Sequence, residues 1–205
     1  MNLEVLVEEQ SAEKALESLL PKILGPDTQF AIRVFQGKAD LLAKLPSRLA
    51  GYSTWVRDAN TRIVVLLDRD DDDCLELKKR LEAMAVDGGF VTPSTAHDGN
   101  AATLLLRIAV EELEAWFLGD VPALRAAYPR VPRSLGERAG LRDPDAVAGT
   151  WEALERVLKR HGYQVTGLRK VETARAVASA MNVEDNRSAS FATFRDGLRR
   201  LVGAP

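Results

Sequence analysis

The chain has 205 residues, of which 46% are apolar and 28% charged, with a net charge of −2. These are values of a folded globular protein, large enough for one big domain or for a domain with a helical extension. Near-neutral charge excludes polyanion binding driven by bulk charge, and a single cysteine with two histidines excludes a disulfide framework and a cysteine-rich zinc site.

In chain order, Leu3 to Val7 is a short apolar run that ends at Glu8-Glu9 and reads as a strand. Ser11 is the expected N-cap of a helix carrying Ala12, Ala15, Leu16, Leu19, Leu20 and Ile23, with Pro21 inside it as an expected kink and Gly25-Pro26 as its stop. Phe30 to Phe35 reads as a second strand, and Gln36-Gly37-Lys38 as a turn. A second helix starts near Ala39 and carries Leu41, Leu42 and Leu45; Pro46 is expected to break it before a continuation to Tyr52. Residues 61 to 68 form the most apolar strand, Ile63-Val64-Val65-Leu66-Leu67, consistent with burial on both faces. Cys74, Leu77, Leu81 and Met84 then follow at helical spacing until Gly88-Gly89.

The order β-α-β-α-β-α predicts parallel strands joined by right-handed crossovers. After a polar loop from Pro93 to Asn100, Thr103 to Val110 reads as a fourth strand, followed by a helix within Glu111 to Asp120 whose Trp116 and Phe117 belong to the core. Beyond Asp120, prolines at 122, 129, 132 and 144 punctuate short pieces, with Tyr128 to Pro132 as a loop and helices near 144–161, 169–181 and 188–202. The expected organisation is α/β, a mainly parallel sheet flanked by helices over residues 1–120, with an α-helical extension over 121–205 packed on it. No apolar run approaches the roughly 20 residues of a membrane span, and the N-terminus lacks the pattern of a signal peptide, so the expected location is the cytoplasm.

The chemistry concentrates in Asp68-Arg69-Asp70-Asp71-Asp72-Asp73, directly after the central strand. Open α/β folds bind ligands at the carboxyl ends of their strands. Close carboxylate pairs repel by about 4 kcal/mol at an effective dielectric near 20, so a cation is expected among them, and oxygen-ligated Mg²⁺ or Mn²⁺ suits that role. Asp70 to Asp73 have a plainer reading as caps and dipole partners of the next helix. Asp68 and Asp70, by strand alternation, are expected on one side of the strand end. Glu8 with Glu9, and Glu111 with Glu112 and Glu114, also follow apolar strands, so the three clusters are expected to converge on one edge. The candidate metal ligands are Asp68, Asp70, Asp72, Glu111 and Glu114. The candidate acid/base is Glu8 or Glu9, with a pKa raised by neighbouring carboxylates.

A glutamate after the first strand and Asp-x-Asp after the third resemble the Toprim domain of topoisomerases, primases and overcoming-lysogenization-defect nucleases. The resemblance implies Glu8 as acid/base and Asp68 and Asp70 as Mg²⁺ ligands. Toprim glutamates are commonly followed by glycine; Glu9 stands there instead, which leaves the choice between Glu8 and Glu9 open. Val34-Phe35-Gln36-Gly37-Lys38, Val65 to Cys74, Glu111 to Asp120 and Asn186-Arg187-Ser188-Ala189-Ser190-Phe191 are similar, over nearly the whole chain, to the Toprim-like family called domain of unknown function 4276.

Lys38 and Arg107 are the leading candidates for phosphate contact, followed by Arg169, Lys170, Arg175 and Arg187, each also readable as an ordinary surface charge. Ser188 reads as an N-cap. The expected function is Mg²⁺-dependent phosphodiester chemistry on DNA or RNA. The resemblance adds a setting, defence against phage, and an ATPase partner. No Walker A pattern occurs in the chain, so such an ATPase would be a separate subunit. Two alternatives are a haloacid-dehalogenase-like phosphatase with Asp68 as nucleophile, and a non-catalytic cation-binding interaction subunit.

Overall fold

The computed structural model describes residues 1–53, 60–97 and 101–203. Four parallel strands, β1 (Asn2–Val7), β2 (Gln29–Val34), β3 (Thr61–Asp68) and β4 (Leu104–Ala109), form one sheet in the order β2-β1-β3-β4. The connections are α1 (Gln10–Leu24), α2 (Lys38–Ser53) and α3 (Cys74–Asp87). After β4 come α4 (Glu114–Gly119), α5 (Val121–Ala127), α6 (Thr150–Arg160), α7 (Lys170–Ala180) and α8 (Ala189–Val202), with three short 3-10 turns between α5 and α6. The expected α/β class, parallel sheet and flanking helices are what the fold contains. The last three positions of the Pro93–Asn100 loop lie outside the described residues.

Strand β3 is central because both of its faces are apolar. Ile63, Val65 and Leu67 point into one core with Leu41, Leu45 and Leu49 of α2 and Leu77 and Leu81 of α3. Val64 and Leu66 point into the other, with Leu16, Leu19 and Leu20 of α1 and the helices of the carboxyl-terminal half. That second core runs without interruption from Val5 and Val7 to Ala174, Val177, Phe191 and Leu198. Helix α1 lies against α7, and α8 against β4. Trp116 is fully buried between Phe191 and Phe194, with ring centroids 5.2 and 5.0 Å away.

Local expectations differ from the structure in three places. Ser11 is not the cap of α1: Glu9 holds that position in extended backbone, and the Ser11 hydroxyl donates to the Glu9 carboxylate from inside the first turn. Pro46 does not break α2, which runs unbroken with Leu41, Leu42, Leu45, Leu49 and Tyr52 all buried. An interior proline costs about 3 kcal/mol, and five buried side chains at roughly 1.5–3 kcal/mol each outweigh it. The segment expected as one helix over 144–161 is helical only from Thr150. Gly149 precedes it at φ +60, a left-handed conformation suited to glycine. Among the described residues, no helix is long and apolar enough to cross a membrane.

Candidate functional site

Strands β1, β3 and β4 are neighbours and parallel, so the residues just past their carboxyl ends share one edge. Glu8 leaves β1, Asp68 ends β3, and Glu111 to Glu114 follow β4. Glu8 is buried, and its Oε1 accepts the Asp68 amide at 2.8 Å. Asp68 is also buried, and its Oδ1 accepts the Leu113 amide at 2.9 Å. Burial, followed by the charges of Glu8, Glu114, Glu9 and Asp70, pushes Asp68 well above the usual carboxylate range. Burial raises Glu8 as well, against the opposing pull of the Asp68 amide. Loss of water is the first cause at both groups; the Glu8 charge adds to it at Asp68, whereas at Glu8 the like charge that adds to it is Asp70 and the Asp68 carboxyl acts to lower it.

Glu114 is the most enclosed of the group. It is 1% exposed, burial pushes its pKa up to about 7, and its Oε2 has no hydrogen-bond partner among the described residues. Lys170, from α7, stands 4.0 Å from Glu114 Oε1 and 5.5 Å from the centre of the Trp151 ring. Burial acts to lower the Lys170 ammonium, and the charges of Glu114, Glu9 and Glu112 raise it further than burial lowers it.

The outer aspartates divide by role. Asp70 does not continue the strand: its φ of +48 turns it away from the alternation expected for Asp68 and Asp70. It is half-exposed and pairs with Lys38 at 2.7 Å. Asp72 pairs with the same ammonium at 2.7 Å, and Lys38 also donates to the Arg69 carbonyl at 2.8 Å. Asp73 caps α3, accepting the amides of Leu75 and Glu76. Gly37, at φ +91, sends its amide to the Glu8 carbonyl at 2.8 Å and so carries Lys38 to this edge. Lys38 thus reaches the acidic edge. Arg107 does not: it lies opposite Leu66 in mid-strand and donates to the carbonyls of Leu106 and Thr193.

The remaining acids act as struts. Glu111 pairs with Arg69 and accepts the Gly149 amide at 2.8 Å. Glu112 accepts the Thr150 hydroxyl at 2.8 Å and the Trp151 amide at 2.9 Å, capping α6 from another element. Glu9 holds Ser11. The Arg187 guanidinium is spent on the carbonyls of Gly136, Arg142 and Leu118, and Arg169 on Glu172. Ser188 caps α8 as expected, accepting the Phe191 amide.

Two parts of the site carry little signal in the chain. Lys170 stands among other basic residues in an ordinary helix, and Trp151 has no motif around it; only the packing of α7 and α6 brings both to Glu114.

Among the described residues, no group of three or more acidic, histidine or cysteine side chains is placed to hold a metal ion. A hard dication at this edge would need oxygens from water or substrate beside the carboxylates. Mg²⁺ is commonly held by one or two carboxylates together with substrate phosphates and water rather than by an all-protein cage. Here, Glu8 and Asp68 are joined through the Asp68 amide, and the Oε2 of Glu114 has no hydrogen-bond partner among the described residues.

A family model described as a domain of unknown function (DUF4276) matches residues 7–199. The chain belongs to the DUF4276 family. No curated protein and no solved structure matches it. Membership in DUF4276 agrees with the resemblance of the Gln36-Gly37-Lys38, Asp68-to-Asp73 and Glu111-to-Asp120 segments, which surround this edge. The Asn186-to-Phe191 motif has a structural part. Asn186 donates to the Trp116 carbonyl at 2.8 Å, and a side chain added at Gly119 would collide with it.

Proposed function

We propose that this DUF4276 protein carries out Mg²⁺- or Mn²⁺-dependent phosphodiester chemistry on nucleic acid, in the manner of a Toprim-like nuclease. The observation that carries the reading is the buried Glu8–Asp68 pair at the ends of adjacent parallel strands, with Lys38 and Asp70 beside it. Asp68 and Asp70 would hold the cation, with Glu114 as a further carboxylate behind them. A bound dication supplies charge neutralisation and polarises a phosphorus–oxygen bond.

The protein's own groups divide the remaining work. Glu8, with a pKa raised toward neutrality, takes or returns the proton of the attacking or leaving oxygen; Glu9 is half-buried and engaged by Ser11. The Asp68 and Leu113 amides fix the Glu8 and Asp68 carboxylates, so neither has to reorient during the reaction. Lys38 bridges Asp70 and Asp72 and is placed to exchange one of them for a phosphate oxygen. A separate ATPase subunit and a role in phage defence fit the same reading.

The test is a cleavage panel of single- and double-stranded DNA and RNA with Mg²⁺ or Mn²⁺, with EDTA and Asp68→Asn as controls. Metal-dependent cutting that is lost in the folded variant supports the proposal. Metal binding without cutting by the wild type in any arm removes it, and a phosphoaspartate trapped at Asp68 assigns a phosphatase instead.

A further inference from the structure

A second concentration of charge lies in the helical half, and no residue of the acidic edge lines it. A cleft of about 430 Å³ opens between the turns at 138–148 and α6. Arg138, Arg156 and Arg160 stand around it, above a floor that includes Leu141, Val147 and Val157, and no acidic side chain lines it. Ala153, Arg156, Val157 and Arg160 share one face of α6 at i, i+3, i+4 and i+7, so the two arginines leave the helix about 6 Å apart along its axis.

Many arginines of this protein are already engaged, and those of the cleft are not. Arg33, Arg69 and Arg199 are paired with carboxylates, and Arg107, Arg125, Arg187 and Arg195 are occupied with carbonyls. Arg138, Arg156 and Arg160 are exposed, and among the described residues their guanidiniums make no hydrogen bond or ion pair. Of the two acids on α6, Glu155 accepts the Leu168 amide, pairs with Lys159 and also feels the Arg156 charge, while Glu152 lies against Gly149. Three free guanidiniums over an apolar floor match a ligand with phosphates and flat apolar faces. Guanidinium forks bind phosphate, and unstacked bases lie on apolar and guanidinium surfaces.

The cleft also adjoins the acidic edge. Ala146, Val147 and Ala148 line it, and the next residue, Gly149, donates to Glu111, while Thr150 and Trp151 are held by Glu112. We propose that the Arg138–Arg156–Arg160 cleft holds backbone phosphates of a single nucleic-acid strand whose target bond lies at the Glu8–Asp68 edge. The inference rests on the phosphodiester reading for the target bond, and on the cleft alone for binding.

The experiment is fluorescence anisotropy of a labelled single-stranded oligonucleotide with the full-length protein in EDTA, where no cutting occurs. Wild type is compared with Arg156→Gln/Arg160→Gln, with Arg138→Gln, and with Lys79→Gln/Arg80→Gln on the exposed face of α3, which makes the same charge change elsewhere. Glutamine is a good helix former, so the α6 variant keeps its helix, and Arg138→Gln tests the opposite wall outside α6. The expected result is a loss of about tenfold or more for Arg156→Gln/Arg160→Gln, and a fall of about 1.4 in the slope of log K against log salt for two lost phosphates. A smaller loss is expected for Arg138→Gln, and little change for the α3 variant.

Equal losses in the α6 and α3 variants, no strand binding by the wild type, or equal displacement by polyglutamate of the same charge would overturn the assignment. Cleavage with Mg²⁺ or Mn²⁺ is read separately. A strand that binds through the cleft and is never cut leaves the cleft standing and removes the phosphodiester reading. Cutting that is indifferent to all three arginines does the reverse.

Discussion

At the scale of single residues, the acidic edge is a site of stored repulsion. Glu114 shows the sign clearly. Its pKa is about 7 in the fold against an ordinary value of 4.5. Between those values the folded state binds more protons than the unfolded chain, so this group's contribution makes stability fall as pH rises from 4.5 to 7 and level off above. Glu114→Gln is expected to flatten that slope in urea melts without added metal, making the variant relatively more stable than wild type at pH 8 than at pH 5. The ceiling is about 3 kcal/mol, reduced by whatever Lys170 compensates. An unchanged slope would place the titration elsewhere. Asp68→Asn keeps an oxygen for the Leu113 amide and removes a buried charge that Glu8 and Glu114 oppose. It is expected to raise metal-free stability at pH 8 by about 1–2 kcal/mol while abolishing any metal-dependent cutting, a combination that separates a functional acid from a structural one. A stability loss at pH 8 would show the carboxylate to be part of the scaffold.

At the scale of elements, the same run of aspartates divides into a cap and a site. Asp73 accepts two amides at the start of α3. Asp73→Ala is therefore expected to cost about 1 kcal/mol in denaturant melts and to leave metal affinity, measured by calorimetry, unchanged. Loss of metal binding there would move the site outward along the run. The strands and helices themselves were readable because their periods are local. The run 63–67 has no polar residue to mark an exposed face, and β3 is buried on both; Leu41, Leu42 and Leu45 repeat on one face, and α2 buries them. The misreadings at Ser11 and Pro46 share a cause. Capping and proline rules describe an isolated helix, and here Glu9 takes the extended cap position with its carboxylate accepting the Ser11 hydroxyl, while α2 is held by five core side chains.

At the scale of the whole molecule, the carboxyl-terminal helices share one continuous core with the face of the sheet that packs on α1. Unfolding is expected to be a single transition, coincident by far-ultraviolet circular dichroism and tryptophan fluorescence, with Trp116 buried between the halves as reporter. Leu154→Ala in α6 is expected to lower stability by about 2–5 kcal/mol and to shift both probes together. Separated transitions would show that the helical half melts by itself.

The sequence alone determined the element order, the parallel α/β class, the family motifs and the presence of acids behind three apolar strands, because each depends on spacing within a few residues. It also determined that Lys38 follows the second strand closely enough to reach that edge. Only the tertiary structure decided which acids are buried together. Asp68, Glu8 and Glu114 are far apart in the chain and meet through the strand order β1-β3-β4, whereas Asp70 turns out to Lys38, and Glu111 and Glu112 brace α6. It likewise placed Lys170 and Trp151 at Glu114, and aligned Arg138 with Arg156 and Arg160 around a cleft. Charge and water exclusion act through space, so a residue's neighbours in the fold, rather than in the chain, set its pKa and its partners.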